Sequence, residues 1–230
     1  MAPRKDIASR AAGTGEVVYG RRPVAEAKRG RRRVRRVWAS PEVPASELTR
    51  LAGSPDHQGV VAEVDPYPYA DPDTLLDRPD ALVVALDQVQ DPRNLGAVCR
   101  SAEAVQAAGL VIPSRRSAAV TAAACKASAG AVEHLPVARV TNLADWLARA
   151  KESGAWVYGA DVSAAAPYAR ADLSGKMVLV LGSEGRGLRR RVSESCDLLI
   201  SIPVRGRVAS LNVSAAAAVL LFEAARQRAG

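Results

Sequence analysis

The chain holds one phenylalanine, two histidines, two methionines and three cysteines in 230 residues, and aromatic residues make up only 4% of it. Each scarcity excludes something. Cys99, Cys125 and Cys196 stand far apart with no CxxC spacing, so they encode neither a disulfide framework nor a zinc site. They read as small buried hydrophobes of a reducing compartment. His57 and His134 lack partners at metal-ligand spacing, and no bound metal is expected. No run of about 18 apolar residues spans a membrane, and the first residues lack a secretion signal's continuous apolar stretch. A cytoplasmic protein is therefore expected. Neither GxGxxG nor the Lys and Ser/Thr of a P-loop occurs where a strand leads into a helix, nor does the acidic glycine-rich turn of Rossmann-type methyltransferases. That pattern excludes the usual dinucleotide enzymes and NTPases.

What the chain has in excess is charge, and the excess is local. Residues 1–40 carry 12 Lys or Arg against Asp6, Glu16 and Glu26, a balance of +9 in a chain of net +8, so the other 190 residues sit near −1. The guanidinium fork matches phosphate geometry, so Arg21, Arg22, Arg31, Arg32, Arg33, Arg35 and Arg36 are expected to bind a nucleic acid backbone. A solvated charge run, or contact with anionic lipid, is the alternative.

At 48% hydrophobic the chain can bury a proper core. Residues 1–15 form a small, polar, basic tail without periodicity, expected to be disordered. Residues 16–65 read as a small module: strands at VVYG, 34–40 and 59–64, a helical turn at 22–28 and a helix at 45–53 stopped by Gly53. Residues 66–80 are rich in Pro and Asp, the composition of a linker. From 81 to 230, apolar runs of strand length alternate with helical stripes, which predicts an α/β domain of about six strands, with parallel pairing.

Three polar, glycine-bearing segments each follow one of those strands: DPRNLGAVCRSAEA (91–104), VLGSEGRGL (180–188) and IPVRGRVASLNVSAAAA (202–218). Ligand sites of open α/β sheets form where loops leave the carboxyl ends of strands, so the three are expected to converge. Asn94 is read as the cap of a helix running to about Ala108, whose apolar stripe of Leu95, Val98, Ala102 and Val105 leaves Arg100 aside. A capped helix does not explain the seven-residue polar connection QVQDPRN between two buried elements. Glu184 is held among three glycines that permit close backbone approach to a ligand. Ser210 and Asn212 start the last helix, either as N-caps or beside free N–H groups able to meet an anion. That helix is apolar or small on nearly every face, as in one buried in the domain or against a second subunit.

In this order the segments resemble the three signature motifs of the SpoU/TrmH family of RNA 2′-O-methyltransferases, in the SPOUT superfamily. NLGAVCRSAEA resembles the first, with Asn94 and Arg100; VLGSEGRGL the second, with Glu184; IPVRGRVASLNVSAAAA the third, with Ser210 and Asn212. The likeness covers residues 81–228. It extends into VVYGRRPVAEAKR and HQGVVAEV, similar to the ribosomal-protein-like module of the 23S ribosomal RNA guanosine-2′-O-methyltransferase branch. The resemblance implies a SPOUT-type α/β fold, a mostly parallel sheet flanked by helices with a C-terminal deep trefoil knot. It implies a homodimer binding S-adenosylmethionine, without a metal, against Leu181, Gly182, Ser183, Ile202, Val204, Ser210 and Leu211. Its implied catalytic residues are Asn94, Arg100, Glu184, Ser210 and Asn212, with Arg100 facing the second subunit. One departure stands out. The family has a further strand and helix between VWAS and ASELTRLAG, where this chain has only PEVP, so its module is expected to be shortened.

The implied reaction is 2′-O methylation of ribosomal RNA, at the ribose of a guanosine of 23S RNA by analogy with that branch. A guanidinium stays charged and is a poor base, so Arg100 is read as binding a phosphate beside the target and stabilising the forming alkoxide. Asn94, Ser210 and Asn212 then fix the ribose. The neighbouring readings are a resistance-conferring ribosomal RNA methyltransferase and one acting on transfer RNA. A non-catalytic RNA-binding assembly factor is the reading from another class, against which stands the presence of all five polar motif residues.

Overall fold

The computed structural model describes residues 15–208 and 210–229, so the tail expected over 1–15 falls outside the described residues up to residue 14. The chain begins with strand β1 (Glu16–Tyr19), helix α1 (Arg21–Arg29), strand β2 (Val34–Ala39), helix α2 (Ala45–Ala52) and strand β3 (Val60–Val64). The strands pair antiparallel in the order β1-β3-β2. Gly53 ends α2 in the left-handed conformation (φ 64), which glycine adopts without Cβ strain. The short PEVP link still lets the module close: Leu48 of α2 packs on Tyr19 and Val61 to make a small core of its own.

The second part runs β4 (Leu82–Asp87), α3 (Pro92–Ala104), β5 (Gly109–Pro113), α4 (Ala122–Ala127), β6 (Val137–Val140), α5 (Leu143–Glu152), β7 (Trp156–Ala160), β8 (Ala166–Pro167), β9 (Met177–Gly182), α6 (Arg190–Glu194), β10 (Leu198–Ser201) and α7 (Val213–Arg228). Its sheet has the order β6-β5-β4-β9-β7-β10-β8, and every described pair is parallel. Successive side chains of a strand face opposite sides, and both sides here are covered. Leu82, Val84 and Leu86 pack with Leu95 and Val98 of α3 and Leu220 and Leu221 of α7. Val83 and Ala85 pack with Trp146 and Leu147 of α5 and Val192 of α6. Each such buried Leu or Val contributes roughly 1.5–3 kcal/mol, so continuous apolar strands are what this architecture requires.

One helix cap differs from the sequence reading, and at another the structure chooses between the two residues offered. Asp91, not Asn94, caps α3: its carboxylate accepts the Arg93 backbone N–H at 2.7 Å, and Pro92 supplies the preset φ of a first helical position. Asn94 is left free for other work. The last helix begins at Val213 with Asn212 as its cap, the side chain accepting from Ser214 N at 2.9 Å. Among the described residues, no helix is long and apolar enough to cross a membrane. Cys99 and Cys125 are buried, and burial pushes the Cys125 thiol up to about 12.

Residues 66–80 are not a free linker. The Tyr67 hydroxyl donates to Val132 O (3.1 Å) and Leu135 O (3.0 Å), the Tyr69 hydroxyl accepts from Val120 N, and Ala70 N donates to Val137 O. Leu75 and Leu76 are buried against the large domain. Average composition concealed four anchoring side chains among the prolines and aspartates.

Candidate active site

In this sheet β4 leads to β5 on one side, while β9 leads to β10 on the other. The loops after β4 and β9 therefore diverge, which opens a crevice at the carboxyl ends of the two central strands. A cavity of about 350 Å³ lies there. Gln88, Gln90 and Asn94 line it from the β4 side, Ser183, Glu184 and Arg186 from the β9 side, and Val213 from the start of α7.

Three of the motif residues meet at this crevice. Asn94 Nδ2 donates to Glu184 Oε1 at 3.0 Å, Asn212 Nδ2 donates to Asn94 Oδ1 at 3.1 Å, and Asn212 Nδ2 also donates to Glu184 Oε1. The result is a closed triangle drawn from three segments. Asn212 spends its other end on α7, its Oδ1 accepting Ser214 N at 2.9 Å and Ser214 Oγ at 2.5 Å. It caps and clamps at once. The second carboxylate oxygen of Glu184 and one Asn94 N–H have no partner among the described residues, and both residues line the cavity, so an acceptor and a donor are available to a ligand there.

The loop bearing Glu184 is held from below. Gly187 N donates to Ser183 O at 2.9 Å, closing a tight turn through Gly185 (φ 78) and Gly187 (φ 64). Beneath it the Asp87 carboxylate, fully buried at the end of β4, accepts from Arg189 N (2.8 Å) and Arg189 Nε (2.7 Å). Sequence reasoning missed this pair, because Asp87 looks like the first residue of a polar loop. Gly182 also has a reason other than the one expected of it. A Cβ there would lie 2.1 Å from the Gly187 carbonyl carbon, so glycine is required by the turn folding back on its own strand.

The remaining motif residues stand apart. Arg100 is exposed on α3, six residues beyond Asn94, and Ser210 is exposed; neither hydrogen-bonds the triangle among the described residues. Of the residues expected to meet a cofactor, Leu181 is buried, so only its backbone can face a ligand, while Ser183 lines the cavity. Ile202 is half-buried, whereas Val204, Val208 and Leu211 of the same segment are left exposed at 39%, 74% and 42%. Three large apolar side chains unpartnered on one short segment, next to a polar turn, suit a ligand with an apolar face and a charged end.

The basic module needs one correction. Arg21, Arg22, Arg31, Arg33, Arg35 and Arg36 are exposed, and Arg36 lies over the Trp38 ring at 5.1 Å. Arg32 is buried instead, its side chain 1% exposed. It pairs with Glu133 through Nε (3.0 Å) and Nη2, and with Glu16 through Nη1 (2.9 Å). Burial opposes the guanidinium's charge, but the Glu133 carboxylate more than offsets it and raises the pKa. Glu133 lies in the large domain, so this pair ties the module to it. His134 Nε2 with Glu26 Oε2 (2.9 Å) and Lys126 Nζ donating to Asp56 O (2.8 Å) add to the seam.

Residues 81–222 match the family described as SpoU rRNA Methylase, and residues 41–70 match the module described as RNA 2′-O ribose methyltransferase substrate binding. The chain belongs to the SpoU methylase family. Among its relatives, the YacO protein of Bacillus subtilis, assigned to the TrmH family of tRNA/rRNA methyltransferases, is 47% identical over 81% of this chain and 76% of its own length. An uncharacterized tRNA/rRNA methyltransferase of Mycolicibacterium vanbaalenii is 49% identical over 81% of this chain, a match that spans 61% of that longer protein. Among solved structures, the SpoU methyltransferase AviRb of Streptomyces viridochromogenes in complex with the cofactor AdoMet is similar with a TM-score of 0.79 and 31% identity, over 94% of this chain and 91% of AviRb.

Proposed function

We propose that this SpoU methylase transfers a methyl group from S-adenosylmethionine to a ribose 2′-hydroxyl of ribosomal RNA, with a guanosine of 23S RNA as the target. The observation that carries the reading is the Asn94–Glu184–Asn212 triangle at the switch-point crevice, next in the chain to a segment that leaves Val204, Val208 and Leu211 exposed. The cofactor supplies an electrophilic methyl group. The turn at Ser183 and the exposed Val204 and Leu211 would hold it, with backbone at Leu181 and Ile202.

The chain's own residues then have three tasks. Asn94 and Glu184 present one donor and one acceptor to the ribose, and orientation of this kind is worth several kcal/mol of the barrier. Arg100 neutralises charge developing on the hydroxyl oxygen and binds the adjacent phosphate, while the hydroxyl proton leaves to that phosphate or to water as the O–CH3 bond forms and the sulfonium C–S bond breaks. Its exposed position, away from the triangle, supports its working across a subunit boundary. On α7, Ala215, Val219 and Phe222 make an exposed stripe at helical spacing, which supports a homodimer packed on that face. The C-terminal segment, from β10 to α7, is the part that would thread the knot.

The substrate assignment rests on the module's match and its exposed arginines. The test is methylation of 23S ribosomal RNA and bulk transfer RNA with a radiolabelled methyl donor. Ribose 2′-O methylation appears as alkali-resistant dinucleotides, and the modified site is then mapped by reverse transcription. Label in a base rather than a ribose overturns the reaction; label in transfer RNA alone overturns the substrate.

A further inference from the structure

We propose a second phosphate-binding element, on the catalytic domain itself: the bend at residues 114–117, carrying Arg115 and Arg116, grips the RNA backbone beside the crevice. The assignment rests on the RNA methyltransferase reading above and names where the catalytic domain holds the strand.

The bend follows β5, which neighbours β4 on the side away from β9. It is moored to the crevice wall. Ala118 N donates to Val89 O at 2.8 Å and Ser117 Oγ donates to the same oxygen at 3.3 Å, while Ser114 N holds Val140 O at 2.8 Å. Val89 lines the cavity. The residues proposed for the cofactor follow β9 and β10, which leaves the β4–β5 side, where this bend stands, to the RNA.

The charge there is unspent. Arg115 and Arg116 are exposed, as are Arg93 on the first turn of α3 and Arg186 on the cavity wall, and none of the four has a carboxylate partner among the described residues. Elsewhere in the same domain, Arg149, Arg190 and Arg226 each meet an acid at 2.7–3.3 Å. The exposed Arg100, Arg170, Arg191, Arg205 and Arg207 meet none among the described residues, so it is the place of the bend, not its lack of partners alone, that singles it out. Arg186 on the cavity wall, Arg93 next to the lining residue Asn94, and the two arginines of a bend hydrogen-bonded to the lining residue Val89 offer forked donors that suit phosphodiester oxygens. The near-neutral sum outside residues 1–40 concealed this clustering.

The backbone adds an independent sign. Arg116 sits at φ 55, and Gln88 on the cavity wall at φ 60. Non-glycine residues avoid this region unless the surroundings enforce it, and such outliers gather at functional sites.

The test is the double variant Arg115→Gln, Arg116→Asn, asparagine being at ease at positive φ. RNA binding is followed by fluorescence anisotropy across a salt series, with 23S ribosomal RNA fragments and bulk transfer RNA as probes. Cofactor binding is followed by calorimetry. The expected result is unchanged cofactor affinity and melting temperature, RNA affinity down several-fold, and a log–log salt slope shallower by about 1 to 1.5 for two lost single-strand contacts. Wild-type affinity and slope in the double variant overturn the assignment while leaving the methyltransferase reading intact. A wild-type chain that binds neither RNA overturns both.

Discussion

Asp87 and Arg189 lie 102 residues apart in the chain and join the end of β4 to the start of α6: the fully buried carboxylate accepts the backbone N–H and the side-chain Nε–H of the same arginine. In register, Asp87 stands beside Gly182, where the Glu184 turn begins. The pair therefore braces the turn from inside the sheet.

Arg189→Ala leaves a buried carboxylate without its charged partner. A loss of about 3 kcal/mol in urea-unfolding stability is expected, smaller than for a fully buried pair because the arginine side chain is 46% exposed. Asp87→Asn removes the charge while keeping an acceptor and should cost less. An equal or reversed order of the two variants would show that the carboxylate is not what the arginine compensates.

Asn212 does two jobs that a single substitution can separate. Asn212→Asp keeps a side-chain acceptor for Ser214 N, so α7 stays capped, but it places a second carboxylate against Glu184. Melting temperature should hold within a few degrees while methyl transfer falls about 10²-fold, the scale of a misaligned reacting group. If Asn212→Asp keeps near-normal turnover, the triangle does not orient the substrate.

Acid stability follows from Glu223. Hydrogen bonds from Arg226 first, then from Gln227, hold its carboxyl down to about 2, below the ordinary 4.5. Gln227 passes the constraint on, accepting from Leu173 N at 2.7 Å and donating to Ala171 O at 3.1 Å. A depressed folded-state value stabilises the protein above pH 4.5, and that contribution drains away as pH falls from 4.5 toward about 2. Thermal melts across this window should show Glu223→Gln with a flatter pH dependence than wild type; parallel curves would refute the linkage.

The exposed stripe on α7 predicts an oligomeric state. Phe222 is 55% exposed and Val219 36% exposed on the same face. Phe222→Glu, at a position that contributes little to the monomer's core, should convert a dimer to a folded monomer in sedimentation velocity. A wild-type chain that sediments as a monomer would refute the homodimer.

Much of this architecture is written in local pattern. Apolar runs at 81–86 and 177–181 need no knowledge of their neighbours to read as buried strands, and Asn142 marks a helix start wherever it folds. Where two residues competed for one local role, local pattern chose wrongly. Asn94 and Asp91 are both good caps, and only the pull of Glu184 from 90 residues away shows why Asn94 is the one released.

The sequence alone determined the α/β alternation and the three segments at strand ends, because periodicity, glycine and capping chemistry act over a few residues. Tertiary structure decided which polar groups meet and which charges are free. Arg32 and Arg33 are neighbours of identical charge, yet one is locked to Glu133 across 101 residues and the other faces water. Burial and partnership are properties of the folded surface, so no count of charges along the chain could separate them.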